Sequence, residues 1–151
     1  MIKEATQSED NLQINVAKLL TAYGRPDIVW WCCPNGARVT WKTAKLLKQM
    51  GVRKGASDIM LLIDSIFHGL ELKTEIGVMS DAQHQFKEDI ERAGGFCHSA
   101  FGLDQAIGVL KGINAFRPNI SISTAVDGRG ARSRPWNSAS AKAGKPEPVH
   151  Q

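Results

Sequence analysis

Two carboxylates and one ammonium stand at the ends of short apolar runs in this chain. Gly55-Ala56-Ser57-Asp58 leads into Ile59-Met60-Leu61-Leu62-Ile63, and a second run from Ile66 leads into Glu71-Leu72-Lys73. A buried, unpaired charge costs several kcal/mol, so charge at the end of an apolar strand needs a partner. Two chemistries supply one. Carboxylates brought close repel each other, and a hard cation such as Mg²⁺ or Mn²⁺ removes that penalty and prefers oxygen ligands. A metal held this way polarises a phosphoryl oxygen and lowers the pKa of water, while an ammonium beside it steadies developing negative charge. A plain Asp–Lys–Glu ion-pair cluster at a strand end uses the same three residue types, and short charge patterns of this kind are common.

The spacing says which of these residues can meet. A turn at Asp64-Ser65 joins strands over Ile59–Ile63 and Ile66–Lys73 and sets Asp58 opposite Glu71. Directly opposed residues share a face, with Cβ atoms about 4.5–5.5 Å apart, and Lys73, two residues beyond Glu71, projects to that face as well. A loop longer by one residue would send Asp58 to the other side. The opposite face carries Ile59, Leu61, Ile63, Leu70 and Leu72, which is core.

The order of short motifs resembles the VRR-NUC family of the PD-(D/E)xK nuclease superfamily. Ser57-Asp58, Glu71-Leu72-Lys73-Thr74-Glu75 and Met79-Ser80-Asp81-Ala82-Gln83 follow one another as they do there. Gly51 to Gly55 precede the Asp, and Ala93-Gly94-Gly95 close the helix after Gln83. Upstream, Pro34-Asn35-Gly36 is similar to a segment of that family, and Glu9 lies on the expected first helix. The match runs from about Glu9 to Lys111; each motif is weak alone, and the ordered set is more specific. Ser57 stands where a proline often precedes the Asp in the superfamily, at a position that shapes the backbone and binds no metal.

The resemblance implies a Mg²⁺- or Mn²⁺-dependent endonuclease acting on DNA. Asp58, Glu71 and the Leu72 backbone carbonyl would hold the metal, Lys73 would be the catalytic cation, Gln83 would support it from the next helix, and Glu9 would reach the site from the first. Small members of this kind are expected to act as homodimers on branched DNA such as four-way junctions or flaps, often in phage settings. A nicking or restriction-like nuclease on duplex DNA without junction preference is the alternative within enzymes. A non-catalytic DNA-binding module is the alternative outside them, although Asp58, Glu71 and Lys73 are all intact. Nothing in the sequence separates DNA from RNA.

Gln83 and Glu9 each have a structural reading as well. Ser80-Asp81-Ala82-Gln83 and Thr6-Gln7-Ser8-Glu9 both have the form of a capping box. Ahead of Asp58, Arg38, Lys42, Lys45, Lys48, Arg53 and Lys54 form a basic stretch without an acid. Of these, Arg38, Lys42, Lys45, Arg53 and Lys54 are the candidates for binding a phosphate backbone; a solvated helix face is the other reading. Trp30, Trp31 and Trp41 read as core or interface aromatics rather than platforms for bases.

The elements that must position these groups alternate. A helix is expected over about Ser8–Tyr23, a strand over Ile28–Cys33, the basic helix over about Thr40–Met50, then the Asp58 hairpin. A helix over Asp81–Ala93, a strand over Phe96–Phe101 and a helix over Leu103–Leu110 follow. This is an α/β pattern: a small mixed β-sheet flanked by helices, which the resemblance makes a PD-(D/E)xK restriction-endonuclease-like core of αβββαβ type. At 42% hydrophobic and 23% charged residues, the chain can bury a core.

The nuclease domain is expected over 1–113, with a basic, disordered tail over 114–151. After about Phe116 the chain turns rich in Pro, Ser, Gly and Ala and keeps no apolar period. The whole excess of base over acid, +4, falls in residues 114–151. No apolar stretch is long enough for a membrane span or, at the N-terminus, a secretory leader. Three cysteines without paired spacing fit free thiols, so a cytoplasmic protein, bacterial or phage-encoded, is expected. Cys97-His98 reads as strand packing, and the other histidines form no cluster with it in sequence.

Overall fold

The computed structural model describes residues 8–33 and 39–122. The first helix, α1 (Glu9–Tyr23), starts at Ser8, whose hydroxyl accepts the Asn11 N–H at 3.2 Å. Glu9 is therefore the first residue inside the helix, not the third, as its alternative capping-box reading would require, and it makes another contact described below. Leu12, Val16 and Leu20 recur at helical spacing and are buried. The remaining elements are β1 (Val29–Cys32), α2 (Trp41–Gln49), β2 (Ile59–Ile63), β3 (Ile66–Lys73), α3 (Asp81–Arg92), β4 (Phe96–Phe101) and α4 (Leu103–Gly112).

The strands form one mixed sheet in the order β1-β2-β3-β4. β1, β2 and β3 are antiparallel neighbours, and α3 returns the chain so that β4 runs parallel to β3. The hairpin register pairs Ile59 with Leu70 and Ile63 with Ile66, as the two-residue turn requires. Asp64 and Ser65 both take positive φ, 50° and 66°, the backbone of a tight hairpin turn that Asn-Gly would adopt more readily. Arg25 holds this turn from outside, its guanidinium reaching Asp64 at 3.0 Å and Asp27 at 2.6 Å.

Alternation along the strands separates two faces. Ile59, Leu61, Leu70, Leu72 and Ala100 pack against Leu12, Val16 and Leu20 of α1 and against Ala106 and Leu110 of α4. The other face meets α3, whose one buried hydrophobic side chain is Phe86. The core continues past Asn114: Ala115 and Phe116 are buried within it, and Phe116 bridges back to Gly24. The folded unit thus extends past the expected boundary at 114; residues 123–151 lie outside those described. Cys32, Cys33 and Cys97 are free thiols.

Helix α2 stands apart. Its N-cap is Thr40 and its C-cap Met50, and none of its residues is buried. Trp41, expected as a core or interface aromatic, is 75% exposed and so not part of the core, whereas Trp30 packs against it.

Candidate active site

Asp58 precedes β2, and two glycines let its segment lie close to its neighbours. Gly55 has φ +76°, and a Cβ there would fall 2.2 Å from the Ala82 carbonyl oxygen in the first turn of α3. A Cβ on Gly69 of β3 would fall 2.5 Å from the Ser57 hydroxyl oxygen. With both contacts made, Asp58 turns its carboxylate onto β3, where Oδ2 accepts the Leu72 N–H at 2.8 Å.

Glu71 and Lys73 point to the face that meets α3, and both are buried. Lys73 Nζ lies 3.1 Å from Glu71 Oε1 and 3.4 Å from Glu9 Oε1. Glu9, on the first turn of α1, thus joins the cluster from 64 residues away. Gln83 uses both ends of its amide. Its oxygen accepts the Ser80 N–H at 2.7 Å, completing a capping box, and its Nε2 donates to Glu71 Oε1. The capping and site readings of Gln83 hold together.

The electrostatics of this cluster are strained toward protonation. Burial, then the nearby Asp58 charge, pushes Glu71 up to about 7, against the pull of Lys73. Burial likewise raises Asp58, with its bond from Leu72 and the Lys73 charge opposing. Burial acts to lower Lys73, but its ion pairs to Glu71 and Glu9 outweigh that and hold the ammonium above the usual lysine value. With all groups ionised, three carboxylates face one ammonium, an excess of two negative charges.

The donor set suits a hard divalent cation: carboxylate oxygens whose charges repel, one oxygen of Asp58 committed to Leu72, and Glu71 fixed by two donors. Among the described residues, no group of three or more His, Cys, Asp or Glu side chains is arranged to hold a metal. A cation here would complete its shell with backbone oxygen and water, as Mg²⁺ commonly does.

The nucleic-acid candidates do not converge on this cluster. Lys42, Lys45 and Lys54 are exposed, with Lys45 Nζ 5.5 Å from the centre of the Trp41 ring. Arg53 pairs with Asp89 and lies over Phe86, so it ties the segment after α2 to α3 and is not a free cation. Arg38 and Pro34-Asn35-Gly36 lie outside the described residues.

One contact has no signal in the sequence. His68 Nδ1 and His98 Nε2 approach to 3.2 Å, their rings stacked on each other and His68 also on Phe96. Burial lowers both imidazoles, and His68 adds repulsion at His98. They meet because β3 and β4 pair in parallel, at the end of β3 remote from Lys73.

A four-stranded mixed sheet with helices on both faces, and a carboxylate–lysine cluster where β3 ends, make up a small α/β fold. The fold is also that of a solved structure described as a VRR_NUC domain protein. The TM-score is 0.61 at 21% identity, over 72% of this chain and 89% of the other. No family model and no curated protein matches the sequence.

Proposed function

We propose that this chain is a metal-dependent nuclease that hydrolyses phosphodiester bonds in DNA, with Asp58, Glu71 and Lys73 at its centre. The observation that carries the reading is the cluster itself. A buried Glu71 and a half-buried Asp58 are held at a cost in desolvation and repulsion, beside a single lysine that does not neutralise the site. A purely structural ion pair gains nothing from the second and third carboxylate. The likeness in fold to a VRR_NUC domain protein supports the same reading.

Asp58 and Glu71 would hold Mg²⁺ or Mn²⁺ together with the Leu72 carbonyl; when bound, the ion supplies Lewis-acid polarisation of the phosphate and a more acidic water. Lys73 places a fixed positive charge where the phosphorane gains negative charge. Glu9 restrains the Lys73 ammonium, and Gln83 fixes the Glu71 carboxylate by donating to it. Water attacks phosphorus, the bond to the 3′ oxygen breaks, and a proton ends on that oxygen, leaving a 3′ hydroxyl and a 5′ phosphate.

The substrate in this reading is branched DNA, a four-way junction or a flap, cut by a two-fold pair of chains that sets two sites on one branch point. The experiment compares a four-way junction, a flap, supercoiled plasmid and single-stranded DNA, with Mg²⁺, Mn²⁺ or EDTA, for the wild type and Lys73→Ala. Cleavage is expected with either metal and none in EDTA. Lys73→Ala should lose about 10²–10³-fold in rate while binding stays within about twofold. Equal loss of binding and cleavage would make Lys73 a binding residue, and cleavage of plasmid without preference for branches would remove the junction assignment.

A further inference from the structure

The most exposed aromatic among those described as exposed sits in a basic segment of the fold. Trp41, the first residue of α2, is 75% exposed. No acidic residue occurs from Val39 to Ser57, while Lys42, Lys45 and Lys48 line α2 and Lys54 follows it. Lys45, one helical turn on from Trp41, brings its ammonium to 5.5 Å from the ring centre.

An indole left in water needs a reason, since burying it against the fold would be favourable. Val39, Leu46, Met50 and Val52 are exposed along the same segment, but its cations without carboxylates fit a polyanion, and the flat ring fits the face of a base. The helix is joined to the candidate site through the chain that follows it. Its C-cap, Met50, is followed by Gly55, pressed against the first turn of α3, and then by Asp58.

We propose that Trp41 is a stacking platform for an unpaired base, with Lys42, Lys45 and Lys48 on the flanking phosphates, so that α2 selects nucleic acid with a single-stranded segment beside the duplex. This rests on the reading of the chain as one that acts on nucleic acid, and it deepens that reading by naming what distinguishes one substrate from another. Every base offers a π-face, so stacking of this kind is tolerant of sequence, and removing the aromatic costs about 5–150-fold in affinity per base.

The test measures binding of the full chain in EDTA, so that it does not depend on cleavage. Fluorescein-labelled oligo(dT), a blunt duplex and the same duplex with a single-stranded overhang are titrated with wild type, Trp41→Ala, Trp41→Leu and Trp41→Phe. Trp41→Ala and Trp41→Leu should weaken binding to oligo(dT) and to the overhang by about 5–150-fold. Both should leave the blunt duplex within about twofold, and Trp41→Phe should restore most of the loss. Equal losses on all three ligands, no loss on any, or rescue by Leu as well as by Phe would overturn the assignment. So would a fall in molar mass by light scattering in Trp41→Ala, which would make the indole a contact between copies of the chain. Selective loss in EDTA without cleavage in Mg²⁺ would keep the stacking role and remove the nuclease; the reverse result would keep the nuclease and remove the stacking role.

Discussion

At the end of β3, charges are withdrawn from water and locked onto one another; along α2 they stand in it. Glu71 and Lys73 are buried and 3.1 Å apart, and Glu71 has a second donor in Gln83. Lys42, Lys45 and Lys48 belong to a helix with no buried residue. Screening differs accordingly. Exposed charges more than about 8–10 Å apart barely feel one another in physiological salt, whereas buried pairs are screened far less. Charges on α2 should therefore be weakened by salt and show in the salt dependence of binding. Charges at the end of β3 should act as a unit and respond to protons and cations.

The protonation of Glu71 gives the largest separation between the two regions. Its pKa is about 7 in the folded protein against an ordinary 4.5. Between those values the folded state holds a proton that the unfolded state has lost, so stability falls as pH rises through that window. In EDTA, wild-type stability should drop by roughly 3 kcal/mol between about pH 4.5 and pH 7 through this group, and Glu71→Gln should remove that part of the drop. Asp58 titrates with the same sign and is coupled to Glu71, so the difference between the two proteins reports Glu71 together with that coupling. Identical pH profiles for both would mean that Lys73 already neutralises Glu71.

Asp58→Asn comes next. Asparagine keeps an oxygen for the Leu72 N–H and removes one negative charge, so the fold should survive. Calorimetry should find Mg²⁺ affinity lower by roughly tenfold or more. An unchanged titration would reduce the cluster to an ion pair. The smallest effect belongs to α2. Lys42→Ala with Lys45→Ala should flatten the slope of log affinity against log salt by about 2 and leave cleavage at saturating DNA within about twofold. A slope equal to that of the wild type would make α2 a solvated face.

The same contrast marks what sequence reveals. The hairpin was legible because a two-residue turn fixes register, and register fixes faces: Ile59, Leu61, Ile63, Leu70 and Leu72 are all buried, and Glu71 and Lys73 share the other side. The start of α3 followed from Ser80, whose hydroxyl caps it; that of Thr40 likewise caps α2. Contacts set by crossovers were not legible. The pairing of His68 with His98 depends on parallel registry across α3, which no local turn specifies. Arg53 counts as a free cation in sequence because its partner, Asp89, lies 36 residues away. Ala115 and Phe116 look like tail because the residues beyond them have tail composition, yet they close the core. The ordered motifs and the fold point the same way.

The side chain of Gln83 also explains a choice of residue that helix physics leaves open. A helix start accepts glutamate at this position as readily as glutamine, since either can take the Ser80 N–H. Glutamate has no N–H to offer Glu71 and would set one more anion against it. The amide is selected by what lies across from the helix, and a change of a single atom type there would keep the secondary structure while turning an attraction into a repulsion.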